Sequence, residues 1–470
     1  LSTPHSEIED LVNKQTATGT RWYIRYQRGF KPTMNINLTA CVIGIVASLL
    51  TESILAQQVT FSRDIAPIFQ EKCESCHRVG AMAPMPLVTF DDVRPWARAI
   101  KRVITAGEMP PWQIDKSAGV RNFKNDRSLK SDQIDTIIKW LEDGSSRGNP
   151  DNLPPPISWP AGDTWIYEAR FGPPDLILTS PEYTQKASEP DVWFRPVTET
   201  GIMESRWVRA IEIRPSTSAG HRITHHAIAK LQQDEPVDEF RTNFPDDIGP
   251  GLFMEWAIGK QGEMMRPDTG KLMRPGSQIW WDIHHHAAGE EITTSVEMAI
   301  YFYPRNKVPK YRQVLGNFNA ISGDPRTLDI PPFSKTMHQG THVMKQAGRV
   351  ENFQPHMHLR GQAMTMEALL PDGTERMLSR VNNFQFNWHN NYIYSDNAAP
   401  LLPRGTILRF SAWHDNTIAN RNNPDPSQWV GWGDRTIDEM AHAWVNITYM
   451  SDEDYFSELK KRREKQPSPQ

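Results

Sequence analysis

The chain divides by the period of its apolar residues. Between residues 57 and 148 they recur at helical spacing. Asp92 to Thr105 carries Val93, Trp96, Ala97, Ile100, Val103 and Ile104, and Ser131 to Glu142 carries Ile134, Ile137, Ile138 and Leu141. Ser131 or Asp132 suits the second helix's N-cap, and Gly144 ends it. From about Trp159 to Met450 the period falls to two. Trp207–Ile213, Gln278–His284, Ala363–Leu369 and Trp444–Tyr449 alternate between breaks rich in Pro, Gly, Asn and Asp. That pattern predicts antiparallel sandwiches. The stretch is too long for one sandwich, so we expect two, divided near Tyr303-Pro304. Asn149–Pro156 is Pro-rich and reads as a stiff linker. The expected fold class is therefore multidomain. A small all-α domain spans 57–148, a linker 149–160, all-β antiparallel sandwiches 161–304 and 305–452, and a charged tail 453–470. No period of 20 to 50 residues marks a solenoid.

Length and charge add limits. A chain of 470 residues fits about three domains. The formal charge of -4 comes with no basic stripe, which excludes nucleic acid as a partner; Lys460–Arg463 reads as a solvated helix end. The 37 prolines argue against a mainly helical protein. Leu38 to Leu50 is apolar but too short to span a bilayer. It fits a signal-peptide core, with cleavage after Ile54-Leu55-Ala56, so residues 1–56 read as an export signal. Met34 is an alternative start; residues 1–33 are then an upstream artefact, or supply basic character through Arg21, Arg25, Arg28 and Lys31. Leu38-Thr39-Ala40-Cys41 imitates a lipoprotein box, but the apolar run follows Cys41, which makes Cys41 an ordinary leader residue. The expected location is periplasmic or exported, with membrane attachment open.

Cys73-Glu74-Ser75-Cys76-His77 spells C-x-x-C-H. Two thiols at this spacing form thioethers with the haem vinyl groups, and His77 then ligates the iron. The motif takes two of the chain's three cysteines. A zinc site would need a second cysteine pair, and a thioredoxin motif a βαβ surround; neither exists in the pattern. Covalent haem attachment occurs outside the cytoplasm, in agreement with the leader. Met109, in Met-Pro-Pro-Trp, is the candidate sixth ligand, with Met82 and Met85 as competitors. A Met ligand raises the haem potential.

Fourteen of the fifteen histidines follow residue 70, and several cluster. His225 and His226 follow Thr224, His284-His285-His286 end an apolar strand, and His356 and His358 flank Met357. In a strand, residues i and i+2 point the same way, so His356 and His358 share a face. Adjacent histidines face opposite sides unless a bulge or strand end intervenes. Imidazole suits zinc, copper or iron, and an added thioether favours copper, above all Cu(I).

In this order the residues resemble the copper type II, ascorbate-dependent monooxygenases, the group of peptidylglycine α-hydroxylating monooxygenase and dopamine β-monooxygenase. The chain is more similar still to a bacterial branch in which such a module follows a c-type cytochrome domain. The resemblance covers about residues 58–450. It rests on Ala83-Pro84-Met85, Gly107–Trp112, Thr224-His225-His226, Pro355–His358, Trp413–Asn416 and Thr436–Met440. It implies two jelly-roll-like sandwiches, haem c and two copper ions. One copper would take His225, His226 and His284, the last chosen because it stands five residues before Gly289; His285 or His286 stays open. The other would take His356, His358 and Met440, bind dioxygen and hydroxylate a C–H bond, while the first stores an electron. Three protein ligands leave a position for oxygen, and a thioether stabilises the reduced metal. Outside the resemblance, Met440 reads as a core gap-filler.

The chain departs from the animal enzymes. It has no cysteine after Cys76, so its sandwiches rest on core burial. Gln354 stands where the peptidylglycine enzyme has the Arg that holds the peptide carboxylate, and His442 and Trp444 replace other neighbours of the Met. A peptide C-terminus is therefore not the expected substrate. The resemblance implies an exported monooxygenase that acts on dioxygen and a small organic substrate, with electrons passing from a periplasmic donor through the tethered haem. The alternative is a periplasmic electron carrier or copper-binding protein without hydroxylase activity. A zinc hydrolase is a third reading; it needs a carboxylate base, Glu439 or Asp282, and leaves Met440 without a role.

Overall fold

The computed structural model describes residues 58–465 apart from 80, 82, 160–163, 235–250, 258, 259 and 261. The leader-like run, Met34, Cys41 and Met82 lie outside the described residues. The described chain is mostly β-sheet, arranged in several sheets, after a helical beginning. Helices Ala66–Lys72, Ala97–Thr105 and Ser131–Glu142 bury Phe61, Ile65, Phe69, Ile100, Ile137 and Trp140 in one small core. The single helix expected over Asp92–Thr105 is interrupted. Thr89 caps a short turn, Phe90–Val93, and Pro95 enforces a tighter turn before the helix resumes at Ala97. Ser131–Glu142 forms over its predicted span, but its N-cap is Lys130, whose backbone N–H donates to Gln133 Oε1 at 2.9 Å.

The stretch between those helices does not stay with them. Trp112, Ile114 and Phe123 are buried in the core of the later β-structure. Ile114 and Phe123 form β-bridges to Val381 and Tyr394, and Asp115 pairs with Arg380 at 2.5 Å. A boundary at 148 therefore does not isolate the helical region. The Pro-rich segment is also packed: Gln70 Nε2 donates to Pro155 O at 2.7 Å, and Trp159 Nε1 to Glu74 at 3.2 Å.

The β-region is sandwich-like, with two cores that share one sheet. An 11-stranded sheet includes Leu176–Thr179, Val296–Phe302, Arg206–Pro215 and Thr269–Met273, then Tyr311–Asn319, His442–Met450 and Ala347–Val350. Its first part packs Ile211, Ile213 and Ile300 against Ala227, Trp281 and Ile283 of a smaller sheet. Its second part packs Phe318, Val445 and Ile447 against Met364, Phe410 and Ala412 of another. The sheet runs through the division expected near Tyr303-Pro304, with strands from both sides of it. Tyr311 and Arg312 pair with Thr269 and Gly270 in parallel, an exception to the antiparallel rule.

Buried charges reinforce this seam. Glu263 accepts from Lys260 (2.7 Å) and Lys271 (2.9 Å) on one side and from Asn446 (3.2 Å) of the second sandwich on the other. Burial raises its pKa, but the two ammonium groups outweigh that and hold it well below the usual carboxylate range. A depressed carboxyl contributes stability above its ordinary titration range, and that contribution is lost as pH falls toward the folded value. Glu263→Ala strands Lys271 in the interior and is expected to cost about 3–5 kcal/mol. The double variant Glu263→Gln/Lys271→Met should recover much of that loss in urea unfolding, since no charge is then left unpaired.

Candidate metal centre

The first histidine group is built by a register fault. Strand Thr224–Gln232 pairs with Gln278–His285 so that His226 lies opposite His284, while Thr224 lies opposite His285. His225 is the extra residue of this bulge, which lets two adjacent histidines serve one site. The Nδ1 atoms of His225 and His226 are 3.2 Å apart. One nitrogen from each of His225, His226 and His284 lies within 4.8 Å of the others.

The structure also separates the three consecutive histidines. His284 Nε2 meets Asp191 at 3.2 Å, and its ring stacks on Trp193 at 4.5 Å. Its Nδ1 is buried with no hydrogen-bond partner. A carboxylate behind an imidazole fixes the ring and aims its other nitrogen. His285 turns away, against Thr224 Oγ1 (3.3 Å) and the Tyr183 ring (5.4 Å). His286 is half-buried, with its ring 6.4 Å from that of His225.

The second group sits at the end of strand Asn352–His356, where His356 pairs directly with His442. His358 lies past the strand end, so a shared strand face does not orient it. Its backbone N–H donates to Glu439 at 2.8 Å, and its Nδ1 meets Asp438 O at 3.1 Å. Glu439 also accepts the Arg360 N–H, so one buried carboxylate ties residues 358–360 to residues 438–440. Burial pushes Glu439 up to about 7, against the pull of those N–H donors. His414 Nε2 donates to Met440 O at 3.2 Å and fixes that turn from behind. Met440 lines a cleft of about 240 Å³ together with Trp193, His226, His356, His358 and His442. The cleft therefore takes its walls from both sandwiches.

His389 and His442 belong to this cluster, and sequence reasoning did not assign them. His389 comes from the loop before Tyr392–Ile393, and its Nδ1 is 2.9 Å from His356 Nδ1. Its ring is 5.2 Å from that of His225, so the two groups adjoin. An isolated histidine in an Asn-rich loop carries no spacing signal. His442 opens strand His442–Met450 two residues after Met440, which lies outside it, so alternation does not relate the two, and the pairing with His356 shows its surroundings.

Desolvation sets the protonation of the cluster. Burial, aided by neighbouring imidazoles, lowers His225, His226 and His356 well below the ordinary value and brings His389 and His442 to about 3. His358 falls to about 4 from burial, although its carbonyl contact opposes the shift. All are neutral at pH 7, as metal ligation requires. Buried nitrogens of His284, His389 and His442 lack partners, so the donor set fits a cation.

The C-x-x-C-H motif lies elsewhere, at the end of helix Ala66–Lys72, with Cys73 in the cap position. His77 Nδ1 meets Met85 O at 3.1 Å, which leaves Nε2 as the free nitrogen. Burial, with Cys76 and Glu74 adding to it, pushes the Cys73 thiol up to about 12, the opposite of an activated redox thiolate. Met109 is half-buried just after helix Ala97–Thr105, and Met85 is half-buried beside His77.

No family model matches the chain, and no curated protein does. Solved structures align weakly. The infectious bursal disease virus VP2 subviral particle gives 12% identity over 61% of this chain and 74% of that one, with a TM-score of 0.17. Allantoicase gives 10% identity over 47% and 77%, with a TM-score of 0.14. Likenesses of this size carry no argument about fold or function.

The Asp191–His284 contact generates a prediction. Asp191→Ala should weaken Cu(II) binding at the first histidine group about 10- to 100-fold, measured by competition titration. Unchanged affinity would show that Asp191 does not orient a ligand.

Proposed function

We propose that the chain is an exported copper-dependent monooxygenase with a tethered c-type haem, built from a cytochrome c-like helical domain and two jelly-roll-like sandwiches. One observation carries the reading: His226 of the first histidine group and His356, His358 and Met440 of the second open on one cleft between the sandwiches. Bound copper would supply one-electron redox chemistry and activation of dioxygen. His225, His226 and His284 would hold one ion, and His356, His358 and Met440 the other. Asp191 and the Asp438 carbonyl aim the ligands. Trp193, Trp444 and Phe386 pack on His284, His356 and His225 and exclude water. A cleft of about 240 Å³ suits a small organic substrate. Gln354 is fully buried and donates to His389 O, so it offers nothing to a peptide carboxylate.

Cys73 and Cys76 would carry the haem and His77 Nε2 would ligate it. Met109 would supply a second ligand; Met85 already holds His77 through its backbone carbonyl. The chain just after Met109 reaches the metal cluster: Asn390, next to His389, donates to Pro111 O at 2.8 Å. That contact supports the haem as the electron source.

The zinc-hydrolase reading loses its bases. Both Glu439 oxygens accept backbone N–H groups, and Asp282 is engaged by Arg195 (3.0 Å) and Lys230 (3.7 Å).

The test is the metal content of protein matured in a haem-attaching periplasm. About two copper ions per covalent haem are expected, falling to about one in Met440→Ala, with a thioether lost in Cys76→Ala. Haem without stoichiometric copper would leave an electron carrier.

A further inference from the structure

His389 has no role in the reading above, yet it is fully enclosed beside both histidine groups. Two nitrogens bound to one ion at about 2.05 Å are about 2.9 Å apart at a right angle and about 3.3 Å apart at the tetrahedral angle. The His225–His226 separation of 3.2 Å and the His356–His389 separation of 2.9 Å both fall in this window, and both are between Nδ1 atoms. An N–H···N hydrogen bond also has this length. It would join only these two imidazoles, whereas an ion between the same atoms would also engage His358, whose ring lies 5.3 Å from that of His356, and Met440, which lines the same cleft.

The loop is built to place this ring. Gln354 Nε2 holds the His389 carbonyl at 3.3 Å, and Asn390 Nδ2 is held by Pro111 O and Gln113 Oε1 (3.0 Å). The ring itself packs 4.7 Å from that of His356. His442, equally buried, stacks on His356 at 4.8 Å and 30°. The ring angles are similar, 40° for His389 and 30° for His442, and the two neighbours differ in the nitrogen that His389 brings to 2.9 Å from His356 Nδ1.

We propose that His389 is a direct ligand of the second metal ion through Nδ1, completing a set of His356, His358, His389 and Met440. This rests on the copper reading of that site. It changes the chemistry: four protein ligands fill a tetrahedral shell, so dioxygen would need a fifth position or the departure of one ligand.

The experiment is pulsed EPR of nitrogen couplings to Cu(II) in the full, haem-bearing chain. His225→Ala/His284→Ala removes the first group, so that only the second centre is loaded. Three directly coordinated nitrogens are expected, and two after His389→Ala or the bulkier His389→Gln, with copper affinity reduced about 10- to 100-fold. His442→Ala in the same background should keep three. Copper retained with two nitrogens in every protein would overturn the proposal alone and make His389 a positioning residue. Copper retained by none of them would overturn the copper reading together with it.

Discussion

Everything at the cleft depends on one sheet that passes through both sandwiches. Strand His442–Met450 pairs with Tyr311–Asn319, whose first residues pair with Thr269 and Gly270 of the first sandwich. Strand pairing fixes the distance between neighbours, so the two halves have little freedom to slide. His356 is positioned by its pairing with the same strand, opposite His442. The buried ion pair between Arg266 of the first sandwich and Glu351 of the second adds a penalty for separation, because opening the seam would leave each charge without its partner. The histidine groups therefore adjoin as a result of backbone pairing, before any ion contributes.

The second constraint is dryness. Imidazoles packed this closely repel when protonated, and the low polarity of the surroundings removes the proton instead. The cluster is thereby neutral, rich in lone pairs and poor in donors. Aspartate and carbonyl contacts sit behind the rings, at Asp191 and Asp438, and the inward Nδ1 of His284 is left bare. The same division of labour appears at His77, where Met85 O takes the rear nitrogen. Two unrelated parts of the chain thus use one device, a backbone or carboxylate oxygen that selects which imidazole nitrogen is presented.

Much of this was legible in the sequence where a period or a spacing recorded it. Alternation placed the strands around Trp207, Gln278, Ala363 and Trp444 close to their observed bounds, and the 3.6 period placed Ser131–Glu142. The requirement for a bulge or strand end at His225-His226 could be stated in advance, because side-chain alternation is strict; the bulge is where that requirement is met. What escaped depends on pairing between distant segments. His389 lies on a loop with no periodicity. His284 was chosen over His285 only through the spacing that the resemblance supplies; the register that turns His285 against Thr224 is not encoded in a single strand. The Pro95 break shows a local rule overriding helical periodicity.

The domain plan also needed contacts that composition cannot supply. The segment carrying Trp112, Ile114 and Phe123 contains few apolar residues and no period, so it read as a connection inside a helical domain. Its aromatics instead complete the second sandwich, with Trp112 edge-on to Tyr392 at 4.8 Å and Phe123 beside Tyr394 at 5.6 Å. Burying such rings stabilises by an amount no flexible tether provides. A domain joined only by a Pro-rich linker would sample many distances from the sandwiches. A domain whose central segment is part of the second sandwich's own core is held at one distance. The segment reaches His389 through Asn390, so the element that fixes the helical region in place also contacts the histidine cluster.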